Sequence, residues 1–269
     1  MDMTYERYCQ EIRSGSTIVH DDRIMLTALK NDRGRYFPLC EGWRESPILR
    51  SDGVRIYWAN GREHRAKTYV YRNSMCPVFL RGTRITIAGN HIIIEIHNAL
   101  NREPNRSRLA LFVAILKELH KAGIIRPGSR SSFYRLAHRF KVSEYEIRYD
   151  HEPGKIPYKL IRMYACSHQN THYFRDKGKD RTAMYTYPYP GFRRFEMILR
   201  KIDSIRGTAR QIIGRLEKRI RNIWKKWPVY WELISPVFKR PVFLESLNLP
   251  GKDLYGLSQK NNQYFIKLM

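Results

Sequence analysis

Apolar and polar positions alternate along the middle of the chain. In "GVRIYWANG", Val54, Ile56 and Trp58 alternate with Arg55 and Tyr57. "AKTYVYRN", "CPVFLRG" and "TRITIAGN" follow as short strand-like runs punctuated by Gly, Asn and Pro. The clearest strand is "HIIIEIHNAL". A period of two sets Ile92, Ile94 and Ile96 on one face and His91, Ile93, Glu95 and His97 on the other. The period then lengthens. Leu109, Phe112, Val113, Leu116 and Leu119 recur at helical spacing, with Asn105 or Ser107 as the cap and Gly123 as the stop. In "HRFKVSEYEIRYDHE" the period is two again, with Tyr145, Ile147 and Tyr149 between Glu144, Glu146, Arg148 and Asp150. "YKLIRMYACSH" and "RTAMYTY" are the next strands. The succession is β-α-β-β-β, which predicts an α+β sheet with the long helix on one face.

After Glu196 the pattern predicts helix. Leu199, Ile202 and Ile205 form one apolar stripe, and Ile212, Leu216, Ile220, Ile223 and Trp227 form another, with Gly207 between them. Over 208–227 the opposite face carries Arg210, Arg215, Lys218, Arg219, Arg221, Lys225 and Lys226. Pro228 ends this helix. The tail from Trp231 holds Pro236, Pro241 and Pro250 and reads as irregular. Residues 1–50 are mixed and define no clear element. The chain therefore divides into an N-terminal segment, 1–50, an α+β core, 51–203, and a basic helical and proline-containing extension, 204–269.

Charge changes the picture most. Lys and Arg number 50 against 25 acids, a net charge of +25, and a chain this basic needs an anionic partner. Nucleic acid is the partner expected. With 42% hydrophobic and 13% aromatic residues, the chain is no disordered polybasic tail. It has no run of about 18 apolar residues, so no membrane span is expected. "MDMTYERYCQEIRSGS" has no apolar leader region. Cys9, Cys40, Cys76 and Cys166 are far apart, form no zinc-finger spacing and read as reduced thiols of a cytoplasmic protein.

The candidate chemistry is acidic. Glu95, Glu146, Asp150 and Glu196 fall on predicted strands of a basic chain. Converging carboxylates hold Mg²⁺ or Mn²⁺, because hard cations prefer oxygen ligands. Glu95 and His97 share one strand face. The expected metal set is thus Glu95, His97, Glu146 and Glu196. Tyr185 and Tyr187 share a strand face and are candidate nucleophiles. Cys166, His168 and His172 in "CSHQNTH" match no metal module and read as a polar strand end.

The segment from "FKVSEYEIRYDHE" through "THYFRDKGKDRTAMYTYPYPGFRRFEMILRK" resembles the replication initiators of rolling-circle plasmids and filamentous phages. Glu146 stands where that family has its first strand acid. "AMYTY" stands at the nucleophile strand, with Tyr185 as its tyrosine, and Arg194-Phe195-Glu196 matches the following strand. "GNHIIIEIHNALN" is similar to the family's Glu-bearing strand before the helix. Thr186 and Tyr187 stand where the family has an acid and a lysine. "RDKGKD" replaces its Gly-Ser turn, and its His-hydrophobe-His triplet has no counterpart. The resemblance implies a ferredoxin-like core with nuclease chemistry, Mg²⁺ or Mn²⁺, origin nicking by Tyr185 or Tyr187, and a 5′-phosphotyrosine intermediate. The DNA expected has single-stranded or hairpin character, gripped by Arg193, Arg194, Arg210, Arg215, Lys218, Arg219, Lys225 and Lys226. The alternatives are a non-catalytic DNA- or RNA-binding protein and a basic assembly protein.

Overall fold

The computed structural model describes residues 5–29, 49–59, 62–71, 83–88, 91–97, 106–121, 132–152, 166–168, 171–175, 181–185, 192–225 and 241–243. Its helices and largely antiparallel strands make it an α+β protein. The chain forms two compact units. One comprises Met1–Asp22, Glu146–Arg200 and Thr208–Met269, and the other Arg23–Tyr145 and Lys201–Gly207. Strands β1 (Thr17–Leu29), β6 (Lys141–His151) and β10 (Arg193–Ile202) each contribute residues to both.

In the second unit, β2 (Leu49–Ala59), β3 (Arg62–Tyr71), β4 (Thr83–Ala88) and β5 (His91–His97) pair antiparallel in that order. β5 then pairs with Arg23–Leu29 of β1. Ile92, Ile94 and Ile96 are buried together with Ile24, Leu26 and Ile85, as their β-branched, period-two pattern requires. Helix α2 (Arg108–Lys121) buries Leu111, Phe112, Val113, Ile115, Leu116 and Leu119. The Ser107 carbonyl accepts the first helical bond from Leu111 N at 2.9 Å. A one-turn helix, α3 (Phe133–Ala137), is capped by Ser132 Oγ, which accepts from Arg135 N at 3.3 Å. After it, Phe140 meets Phe112 edge-on with ring centres 5.0 Å apart.

In the first unit, helix α1 (Tyr5–Arg13) buries Tyr8, Cys9 and Ile12. Gly15 turns the chain into β1 at φ 83°, and its N–H donates to the Ile12 carbonyl at 3.0 Å. The strand order here is β1, β6, β10, then β9 (Arg181–Tyr185), β8 (Thr171–Arg175) and β7 (Cys166–His168). β11 (Pro241–Phe243) lies parallel to Thr17–Val19. Helix α4 (Ala209–Lys225) buries Ile212, Ile213, Ile220, Ile223 and Trp224. Trp224 meets Phe195 edge-on, with centres 6.3 Å apart.

Two expectations are corrected. The helix predicted after Glu196 begins only at Ala209, because Arg193–Ile202 is strand. Residues 193–199 are all buried, and beyond Glu196 the run Met197-Ile198-Leu199 is apolar on both faces, so it lacks the alternation that distinguishes a strand from a helical stripe. The first 29 residues, which read as mixed, hold α1 and a 13-residue strand. In that strand the polar run His20-Asp21-Asp22-Arg23 interrupts the apolar pattern. "CPVFLRG", residues 158–165, Gly123, Trp227 and Pro228 lie outside the described residues. Among the described residues, no helix is long and apolar enough to cross a membrane.

Candidate functional site

The period of two sorts the neighbouring strands β1, β6 and β10 into two faces. His20 and Asp22, then Glu146, Arg148 and Asp150, then Arg194 and Glu196 alternate with Tyr145, Ile147, Tyr149, Phe195, Met197 and Leu199. The second set includes Phe195, against which Trp224 of α4 packs. The first set is a buried polar network.

Asp150 is fully buried and takes a fork from Arg194: Nε to Oδ1 at 2.7 Å and Nη2 to Oδ2 at 2.9 Å. The Tyr8 hydroxyl of α1 also donates to Oδ2. Burial by itself raises the pKa of Asp150, but Arg194 and Arg148 outweigh it and hold the carboxyl down at about 2. Burial, then the Asp150 charge, pushes the Tyr8 phenol well up, so Tyr8 stays a donor.

Arg148 ties β6 to β1. Its Nη1 donates to Asp22 Oδ1 at 2.7 Å and its Nε to His20 Nε2 at 2.5 Å. An accepting Nε2 requires the Nδ1–H tautomer, and Nδ1 lies 3.0 Å from the Asp21 carbonyl. Burial, then Arg148, lowers the His20 pKa to about 4, so the ring is neutral at pH 7.

Beside this network three carboxylates meet. Asp22, Glu146 and Glu196 each offer an oxygen, all within 4.8 Å of one another. Burial, then Glu146 and Asp22, pushes the Glu196 pKa well up, against the pull of Arg194. Close carboxylates raise one another's pKa, and the rise at Glu196 favours its protonated form, hydrogen-bonded to Glu146. Their oxygens suit a hard divalent ion.

Of the acids expected to act together, Glu146 and Glu196 meet. The third member is Asp22, which the sequence reading left unassigned. Its signal is an acid pair in the polar run His20-Asp21-Asp22-Arg23, set between apolar residues of "TIVHDDRIMLTAL". Glu95 is buried on β5 in the other unit, opposite Met25 and Arg84, and is not a member of the group. His97 ends β5 opposite Arg23, and its side chain lies outside the described residues. Tyr185 ends β9 opposite Thr171. Ala183, two positions before it and so on the same strand face, pairs with Glu196. Tyr187 and Lys226 lie outside the described residues.

The expected DNA-binding cations fall into two groups. Arg210, Arg215, Lys218 and Lys225 are exposed on α4, and Arg219, partly exposed, donates to the Arg200 carbonyl at 2.5 Å. Arg193 and Arg194 are buried, at 6% and 1% exposure. Arg194 is engaged by Asp150, which removes it from the surface set because a forked, buried guanidinium cannot reach a phosphate. Fold and site together define an α+β protein with a carboxylate group across three neighbouring strands, Glu146 and Glu196 buried and Asp22 partly exposed. Neither a scan against protein-family models nor a search of curated proteins finds a match to the chain.

Proposed function

We propose that this protein is a replication initiator of the rolling-circle plasmid and filamentous-phage kind, which nicks DNA through Tyr185. The observation that supports it most is the meeting of Asp22, Glu146 and Glu196, with Glu196 paired to Ala183 two positions from Tyr185. Asp22, Glu146 and Glu196 would hold a Mg²⁺ or Mn²⁺ ion, which would polarise the scissile phosphate. The Tyr185 phenolic oxygen bonds to phosphorus while the bond to the 3′-oxygen breaks. The phenol's proton passes through solvent to the departing 3′-oxygen, and the 5′ end remains as a phosphotyrosine. Tyr187 is the reserve nucleophile. The exposed cations of α4 grip the backbone of single-stranded or hairpin DNA, since phosphate contacts supply most of the affinity. In this proposal, strands of 51–203 correspond to the initiators' ferredoxin-like core, Asp22 joins from the N-terminal segment, and the protein acts in the cytoplasm.

The test is incubation with supercoiled replicon DNA and Mg²⁺. Open circles carrying covalent protein are expected, and Tyr185→Phe should lower nicking by roughly several orders of magnitude. Normal nicking by both Tyr185→Phe and Tyr187→Phe would overturn the tyrosine assignment. Tight binding without any nicking by the wild type would leave a non-catalytic nucleic-acid-binding protein.

A further inference from the structure

We infer that His20 and Arg148 are positioning residues for the acid group, orienting the Asp22 carboxylate for a divalent cation shared with Glu146 and Glu196. The inference rests on the cation site proposed above. Its basis is a closed chain of contacts across two strands. The Asp21 carbonyl lies 3.0 Å from His20 Nδ1, His20 Nε2 accepts from Arg148 Nε at 2.5 Å, and Arg148 Nη1 donates to Asp22 Oδ1 at 2.7 Å. His20 and Asp22 sit two residues apart on β1, so one guanidinium from β6 grips both. The grip ties one oxygen of Asp22 and restricts rotation of the carboxylate.

The histidine matters because of the charge it lacks. A buried guanidinium is commonly paired with carboxylate. A neutral imidazole satisfies Nε without adding negative charge. Arg148 therefore keeps its charge for Asp22 and for Asp150, whose Oδ2 is 3.8 Å away. An acid at position 20 would compete for the same guanidinium and add a further negative group beside Asp22. Lysine at position 148 has no fork, so it cannot hold His20 and Asp22 in fixed relative orientation. Outer hydrogen bonds of this kind commonly set the affinity of the ligands they orient.

The experiment is Mn²⁺ calorimetry on the full chain, with folding followed by circular dichroism. The variants are His20→Leu, His20→Gln, His20→Asn and Arg148→Lys, with Lys117→Gln, exposed on α2, as a remote control. His20→Leu and Arg148→Lys should weaken Mn²⁺ binding about 10- to 100-fold. His20→Gln should restore most of the affinity, because its amide oxygen reaches where Nε2 accepts, and the shorter Asn should not. Wild-type affinity in a folded His20→Leu protein would overturn the positioning role and leave the cation site standing. Should His20→Leu not fold, the Gln and Asn variants decide, and equal affinity in both overturns the inference. Absence of Mn²⁺ binding by the wild type removes the cation site itself, and the inference with it.

Discussion

Asp150 accepts from Tyr8 and from both arms of Arg194 while wholly shielded from water. Asp150→Asn removes the charge and leaves buried guanidiniums facing a neutral amide. It should cost about 3–5 kcal/mol in urea unfolding at pH 7. The same contacts set a pH dependence. Asp150 is depressed to about 2 in the folded chain, below the usual carboxylate value of about 3.9. Its contribution is complete above that usual value and disappears as pH falls through about 2. His151 is depressed by burial to about 4, so its contribution is complete above about 6.5 and is lost as pH falls through about 4. Because His151 stacks flat on Phe195, with centres 5.0 Å apart, Phe can replace it. The urea midpoint of His151→Phe should fall less steeply than wild type between those two values. An identical slope would remove His151 from the account. Such shifts were not legible in the sequence, where Asp150 is one of four candidate acids on predicted strands and His151 is an ordinary strand-end polar residue.

Two glycines show how element type decides the effect of one methyl group. Gly214 is exposed within α4, and a Cβ there meets nothing within 4 Å. Gly214→Ala should stabilise the protein by about 0.5–1 kcal/mol, by removing backbone entropy from the unfolded chain. Gly15 has equally open space but holds φ at +83° in the turn from α1 to β1. Gly15→Ala should destabilise by about 1 kcal/mol, through backbone strain alone. Thermal unfolding of the two variants should therefore shift in opposite directions, and a shared direction would refute the assignment of either backbone. The helix containing Gly214 was legible from its 3.6-residue period. The part of strand β10 beyond Glu196 was not, because Met197-Ile198-Leu199 is a continuous apolar run without alternation.

At the scale of the whole molecule the dominant quantity is the net charge of +25. Its burial is uneven: Arg148 and Arg194 are consumed inside, whereas Arg215, Lys218 and Lys225 are exposed along α4. Replacing these last three by Gln should reduce the slope of log affinity for DNA against log salt by about 2 to 3 units, close to 0.9 per lost phosphate contact. The test is filter binding or anisotropy across a salt series. An unchanged slope would make that face a solvated surface only. The compact units also cross the order of the chain. Residues up to Asp22, Glu146–Arg200 and the segment from Thr208 belong to one unit, although long stretches of sequence separate them.

By itself the sequence determined the α+β class, the strand at His91–His97, the helices α2 and α4, the basic surface and two acids of the candidate group. These follow from local periodicity and from composition, which act over a few neighbouring residues. Only the tertiary structure decided that Asp22 joins Glu146 and Glu196, that Glu95 is not a member, and that Arg194 is an internal partner of Asp150. Those outcomes depend on which strands become neighbours and in what register, set by burial across distant segments rather than by local pattern.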